Sequence, residues 1–249
     1  MNGVKVGIIG IGNMGYAHLQ TVTAGNSPEM TVTAVCDINP ERLKAAKAEY
    51  PDIAAFGDYT DLLKNSDTDA VIIAVPHPLH AKIAIEAFEY GKHVRVEKPM
   101  DITVSAAEKL CAAARKSGKV FAVMFNQRTN GLFREARRIV KSGELGEIKR
   151  SVWIITNWYR TQSYYDSGSW RATWRGEGGG VLLNQAPHNL DIWLWICGSP
   201  ATVTAFCNAG KFHNIEVEDE ATIYAEYENG ATGVFITSTG DCPGTNRLE

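Results

Sequence analysis

Residues 4–15 read "VKVGIIGIGNMG", an apolar and largely β-branched run that stops at glycines spaced G-x-G-x-x-G. The run has the character of a buried strand, and Asn13 to Ala24 beyond it has the spacing of a helix. Gly10, Gly12 and Gly15 therefore fall at a strand-to-helix turn, where missing side chains permit a tight bend and let a pyrophosphate approach the helix N-terminus. The next strand, "TVTAVCD", closes on Asp37, where a carboxylate can accept hydrogen bonds from an adenosine ribose. Strand, glycine turn, helix, strand and acid together point to a dinucleotide. The alternative is a purely structural glycine turn with Asp37 as a helix cap. Asp37 would repel a 2′-phosphate, and the first arginine after it is Arg42, so NAD(H) is expected over NADP.

Outward from this unit the alternation continues. "PERLKAAKAEY" has Pro40 at a helix's first turn, and "IAAF", "DLLKNS", "AVIIAVP" and "LHAKIAIEAFEYG" follow. The strand "HVRVE" then runs into Lys98 and Pro99, Ser105 with Glu108 offers a capping box, and "KVFAVMF" is a further strand. This is the grammar of βαβ units and a parallel sheet. Proline cannot extend a central strand, so Lys98 stands at a strand end, the edge where open parallel sheets bind ligands.

After about residue 126 the pattern changes. A helix through "FREARRIVKSG" leads into a long strand-like "IKRSVWIITNWYR", and Asn229-Gly230 between alternating runs predicts a type I′ hairpin. The expected architecture is α/β: an N-terminal Rossmann dinucleotide-binding domain over 1–126 and a C-terminal α+β substrate domain over 127–249 with a mostly antiparallel open-faced sheet. The chain stops at "GTNRLE", just after a strand, so that sheet is expected to be incomplete.

Composition narrows the function classes. With 249 residues, 45% hydrophobic and 21% charged, the chain can bury one large core or two ordinary ones. A net charge of -3 without long like-sign blocks gives no footprint for nucleic acid or an anionic membrane, so small-molecule partners are expected. Cys36, Cys111, Cys197, Cys207 and Cys242 form no CxxC pair, which fits a reducing cytoplasm, and no signal peptide or membrane span is read.

A second constellation lies in "GEGGGVLLNQAPHNLDIWLWICG", residues 176–198. Asn184, His188 and Asp191 at i, i+4 and i+7 are expected on one side of a helix, with Leu183, Leu190, Trp193 and Leu194 packing elsewhere. The bland alternative pairs His188 with Asp191 in the core. A metal site would need further ligands, and none is expected. Before it, "TNWYRTQSYYDSGSWRATWRGEGGG" is dense in aromatic and polar residues suited to sugar faces and hydroxyls. Asn157, Tyr159, Arg160 and Tyr165 are the substrate-facing candidates, while Trp153, Trp170 and Trp174 can equally fill space between domains. Arg160, Arg171 and Arg175 could instead mark an anionic substrate such as a uronate or sugar nucleotide.

In the order "GIIGIGNMG", "AVPHPLHA", "GKHVRVEKPM" and the glycine run leading into "NQAPHNLD", the chain resembles the glucose-fructose oxidoreductase, inositol dehydrogenase and MocA family of nicotinamide-dependent oxidoreductases. The resemblance covers essentially the whole sequence. It implies that Lys98 of the EKP motif reaches the reacting carbon and the nicotinamide, that His188 is the acid-base group, and that Glu97 positions the lysine turn. The cofactor-binding set it implies comprises the turn from Gly10 to Gly15 with Asn13 and Met14, then Asp37, Pro76, His77, His80, Glu97 and Lys98. Lys98, Asn184 and His188 join the substrate set. Inositol dehydrogenase-like members carry an aspartate four residues before the histidine; Asn184 cannot take up a proton at neutral pH and is expected to orient a substrate hydroxyl. Many members have Asn where this chain has His77, and most run well beyond 249 residues. For a full-length form the resemblance implies a homo-oligomer, dimer or tetramer.

The expected activity is hydride transfer between a secondary alcohol of a cyclic polyol, sugar or sugar derivative and NAD. Two other readings stand beside it: an NAD-dependent glycosidase acting by transient oxidation and elimination, and a non-catalytic NAD-sensing binding protein.

Overall fold

In the computed structural model, which describes residues 3–249, the chain forms two compact units that divide between Met124 and Phe125. The first alternates strands and helices: β1 (Val4–Ile9), α1 (Asn13–Thr23), β2 (Met30–Cys36), α2 (Pro40–Glu49), β3 (Ala54–Phe56) and α3 (Tyr59–Asn65). It continues with β4 (Ala70–Ile73), α4 (His80–Glu89), β5 (His93–Val96), α5 (Val104–Ser117) and β6 (Phe121–Val123). All pairings are parallel, in the order β3-β2-β1-β4-β5-β6. The order reverses between β1 and β4, the arrangement in which a crevice opens at the carboxyl ends of the strands.

Alternation along the strands explains the layering. Ile9, Val71 and Ile73 pack with Leu62, Leu63, Ala84 and Leu110, whereas Ile8 and Ile72 pack on the opposite side with Leu19, Val22 and Ala46. Both faces of the sheet are therefore buried, as the near-continuous apolar strands require. α5 is capped two residues earlier than its expected box: Thr103, not Ser105, accepts the Ala106 amide at 3.2 Å, and Ser105 lies inside the helix.

The second unit contains α6 (Gly131–Ser142), β7 (Arg150–Ile155), α7 (Gln162–Asp166), α8 (Pro187–Cys197), β8 (Thr202–Ala209), β9 (Glu218–Glu226), β10 (Thr232–Ser238) and β11 (Asn246–Leu248). The sheet runs β11-β7-β10-β9-β8; β7 and β10 are parallel and the other pairs antiparallel. Trp153, Phe235 and Trp193 form its core, with Trp193 stacked on Phe235 at 5.5 Å between ring centroids. Trp153 thus fills the interior of this unit, and β8 is exposed along its whole length.

Two local expectations change here. The strand read through "IKRSVWIITNWYR" ends at Ile155; the Thr156 amide still bonds the Thr245 carbonyl beside β11, and the residues beyond it up to Arg160 form no strand. The β9–β10 connection is not type I′: Gly230 has φ +80°, but Asn229 is absent from the residues with positive φ. Instead the Gly230 amide closes a turn on the Tyr227 carbonyl at 2.9 Å, and Asn229 Oδ1 accepts from the Ala231 amide at 3.1 Å. An Asn side chain that caps its own turn removes the need for left-handed backbone at that residue.

Candidate functional site

The chemistry-bearing residues of the first unit collect at the carboxyl ends of β1, β2, β4 and β5. The three glycines of the turn after β1 are required for different reasons. Gly10 has φ +86°, and a Cβ there would lie 2.6 Å from the Ala74 carbonyl oxygen; at Gly15 it would meet the Gly10 carbonyl oxygen at 1.8 Å. Those two glycines hold α1 against the strands. At Gly12 the nearest atom to such a Cβ is Arg42 Nη1, at 3.8 Å, and no side chain caps the α1 N-terminus. Space and unfulfilled amides thus coincide at Gly12, with Asn13 and Met14 exposed beside it, and this fits a dinucleotide pyrophosphate.

Asp37, immediately after β2, is 6% exposed. Its Oδ2 accepts the Ile11 amide at 2.9 Å and Arg42 Nη1 at 3.3 Å, while Oδ1 accepts the Asn39 amide at 2.8 Å. The carboxylate therefore fixes the glycine turn from the end of β2. Four acceptor sites on a carboxylate leave capacity for a further donor.

Beyond β4, Pro76 is exposed and leads a short 3-10 turn over His77–Leu79, with His77 buried. His80, 1% exposed, has Nδ1 at 2.6 Å from the Pro99 carbonyl and Nε2 at 2.8 Å from the Val75 carbonyl. It ties the turn after β4 to the turn after β5, and its burial keeps it off any surface a cofactor would touch. Burial lowers its pKa, against the pull of the two carbonyls.

Glu97 directly follows β5 with Lys98 half-buried after it, and the Lys98–Pro99 peptide bond is cis. Glu97, grouped by the sequence with the cofactor contacts, turns inward: it is 8% exposed and accepts His18 Nε2–H at 2.6 Å. Burial pushes its pKa up, but the His18 bond and the charges of His18 and Lys98 outweigh this and hold the carboxyl below its ordinary value. His18 was missed in the sequence. Its signal was present, since it shares the buried stripe of α1 with Gly15, Leu19 and Val22.

In the second unit, Pro187 begins α8, so Asn184 precedes the helix and does not share a face with His188 and Asp191. Asn184 sits in a turn whose amide bonds the Gly180 carbonyl at 2.9 Å, and its side chain donates to the buried Glu177. His188 lies in the first turn of α8, edge-on to Phe125 at 6.0 Å. Asp191 is clasped by Arg128, with Nε and Nη2 at 2.7 and 2.6 Å, a bidentate ion pair that the sequence did not reveal. Leu183 also precedes the helix, and Leu194 is exposed.

Carboxylates organise the glycine run. Glu177 accepts the Ala172 amide at 2.6 Å, and Glu218 accepts the Gly180 and Leu182 amides at 2.9 and 3.1 Å. A Cβ on Gly180 would lie 1.9 Å from the Glu218 carbonyl oxygen, so close packing against β9 explains that glycine.

Among the substrate candidates, Asn157 and Tyr159 are exposed. The Arg160 guanidinium lies over the Tyr164 and Trp158 rings, 5.1 and 5.7 Å from their centroids. Tyr165 is placed differently: it is 6% exposed, its hydroxyl donates to Thr239 at 2.9 Å, and its ring packs on His213. It belongs to the interior of the unit, not to a substrate-facing surface. Arg171 donates to the Tyr164 hydroxyl at 2.8 Å, and Arg175 and Trp174 are exposed.

A parallel sheet with its glycine turn at the β1 edge, an acid after β2 and a lysine after β5 defines a dinucleotide-binding domain of the Rossmann class. Residues 4–125 match the oxidoreductase family with an NAD-binding Rossmann fold, and residues 133–249 match the GFO/IDH/MocA C-terminal domain. The chain belongs to the Gfo/Idh/MocA oxidoreductase family.

It is 30% identical over 239 residues to the oxidoreductase YrbE of Bacillus subtilis, covering 94% of this chain and 67% of YrbE. To the inositol 2-dehydrogenase of Salmonella typhimurium it is 34% identical over 146 residues, 58% of this chain and 43% of that one. The WlbA dehydrogenase from Bordetella pertussis, solved in complex with NADH and UDP-GlcNAcA, superposes with a TM-score of 0.92 at 28% identity, over 99% of this chain and 74% of that one. The chain thus spans from under half to about two thirds of the length of these curated relatives.

Proposed function

We propose that the protein is an NAD-preferring dehydrogenase that oxidises a secondary alcohol on a cyclic polyol, sugar or sugar derivative. The observation that carries this reading is Lys98 at the carboxyl end of β5, on the same sheet edge as the glycine turn and Asp37, with its turn anchored by His18–Glu97 and His80. The inositol 2-dehydrogenase and the NADH and sugar-nucleotide complex of WlbA support the substrate class.

When bound, the dinucleotide supplies the hydride acceptor at C4 of its nicotinamide. The chain's residues bind and orient: the α1 N-terminus takes the pyrophosphate and Asp37 the adenosine ribose. Lys98, as an ammonium, stabilises negative charge developing on the alcohol oxygen. His188 accepts the proton of that hydroxyl. Asn184, held by Glu177, offers its amide oxygen to a neighbouring hydroxyl, and Asn157, Tyr159 and Arg160 contribute further contacts.

A screen of cyclic polyols, aldoses, anhydrosugars and sugar nucleotides for NADH formation tests the reading. Lys98→Ala and His188→Ala should each lower kcat by about 100-fold or more while NADH affinity stays near that of the parent. Undiminished turnover in either variant would contradict its role, and aglycone release without accumulated NADH would replace the dehydrogenase by the eliminating glycosidase.

A further inference from the structure

His18 and Glu97 form a buried ionisable pair, with side-chain exposures of 11% and 10%. Such a pair is weak evidence for stability, because apolar residues of similar volume often hold two elements together as well. Its place in the chain is informative. Glu97 and Lys98 are consecutive at the end of β5, and His18 reaches them from α1, the helix whose N-terminus faces the glycine turn. The adjacent Lys98 amide and the charges of His18 and Lys98 all favour the ionised form of the Glu97 carboxyl.

Among the described residues, Arg95 on the same strand and the titratable His80 across the Pro99 turn, itself near Asp101, also feel the Glu97 charge. Coulomb interaction is mutual, so an ionised Glu97 favours the cationic form of Lys98. Without its partner, a carboxyl this deeply buried is driven towards its protonated form, since burial is the largest influence acting on it.

We infer that His18 is a positioning residue for Lys98: by holding the buried Glu97 carboxylate ionised and oriented, it fixes the Lys98 peptide and maintains the lysine as an ammonium. The inference rests on the role of Lys98 proposed above. His18 touches neither substrate nor cofactor in this scheme and acts only through Glu97.

The test is an NMR titration of the protein carrying lysine labelled with 13C at Cε, with the Lys98 signal assigned by its loss in Lys98→Arg. In His18→Leu and in Glu97→Gln, the pH midpoint of Lys98 should move down. His18→Gln, whose amide can still donate to the carboxylate, should stay with the parent. The double variant should move no further than either single one, as expected for two groups acting in series. NADH fluorescence titration and Tm accompany each variant to show that it is folded. Should His18→Leu not fold, His18→Asn, too short to reach the carboxylate, takes its place.

A Lys98 midpoint that ignores His18 but responds to Glu97→Gln overturns the inference, as does one that ignores both. Failure of every polyol and sugar to yield NADH would remove the proposed reaction and leave this titration intact, so the two failures are distinguishable.

Discussion

Gly12 and Gly15 differ in what an added methyl group would meet, and the difference separates binding from stability. In Gly15→Ala the new atom is forced onto the Gly10 carbonyl, so α1 must shift, with an expected loss of about 1–3 kcal/mol in denaturant unfolding together with weakened NADH binding. In Gly12→Ala the methyl meets only the Arg42 guanidinium, at 3.8 Å, and stability should change by no more than about 0.5 kcal/mol while NADH affinity falls, because the methyl takes room from the proposed pyrophosphate site. Tyr165 supplies a titration at the same scale. Burial pushes its hydroxyl from 10.0 up to about 12. A raised pKa means that the neutral phenol is favoured by folding, so this contribution is whole below pH 10 and drains away as pH climbs towards 12. Tyr165→Phe should lose about 1 kcal/mol with the Thr239 hydrogen bond and abolish that alkaline decline, as read by urea unfolding at successive pH values. Much of this scale was legible in the sequence. The glycine spacing, Asp37, and the placing of Lys98 at a strand end needed only local pattern. Tyr165 was misread because a tyrosine in a polar, glycine-rich segment looks exposed until the segment folds back, and His18 was passed over because its partner is 79 positions away.

Among the elements, the two kinds of strand were read with unequal success. Parallel strands covered on both faces announce themselves as apolar runs between helical patterns, and β1, β2 and β4 follow that rule, while the edge strands β3 and β6 are short and partly exposed. The region between β7 and α8 carries one short helix, and its order comes from buried carboxylates accepting backbone amides, as Glu177 and Glu218 do. Such bonds leave no periodicity to read. Asn184 shows the result: spacing placed it on a helix with His188, but Pro187 is favoured at the first helical position and starts α8 three residues later. The β9–β10 turn gives this scale its prediction. Gly230 sits at φ +80°, where a Cβ is strained, so Gly230→Ala should destabilise the second unit by about 1–2 kcal/mol. NADH affinity should be unchanged, as a fluorescence titration would show.

Across the whole molecule, each unit has its own apolar core, with Leu110 and Ile73 in one and Trp153 and Phe235 in the other. Scanning calorimetry should therefore resolve two transitions. NADH at 100 times its dissociation constant should raise the stability of the first unit by about 2.7 kcal/mol, moving its transition upward. Movement of the second transition alone would contradict the placing of the dinucleotide on the parallel sheet. The presence of two units was legible from the change of grammar near residue 126, because βαβ repetition and hairpin punctuation differ along the sequence itself. The parallel β7–β10 pairing was not, since nothing local records which distant strand lies beside which. That pairing also bears on how the molecule is made. Residues 150–155 emerge during translation without a neighbour, and both partners, Thr232–Thr237 and Asn246–Leu248, are synthesised much later. The parallel sheet of the first unit can already be complete while β7 waits, so the nascent second unit passes through a stage in which a bare, β-branched strand depends on chaperones or on its own helices for cover.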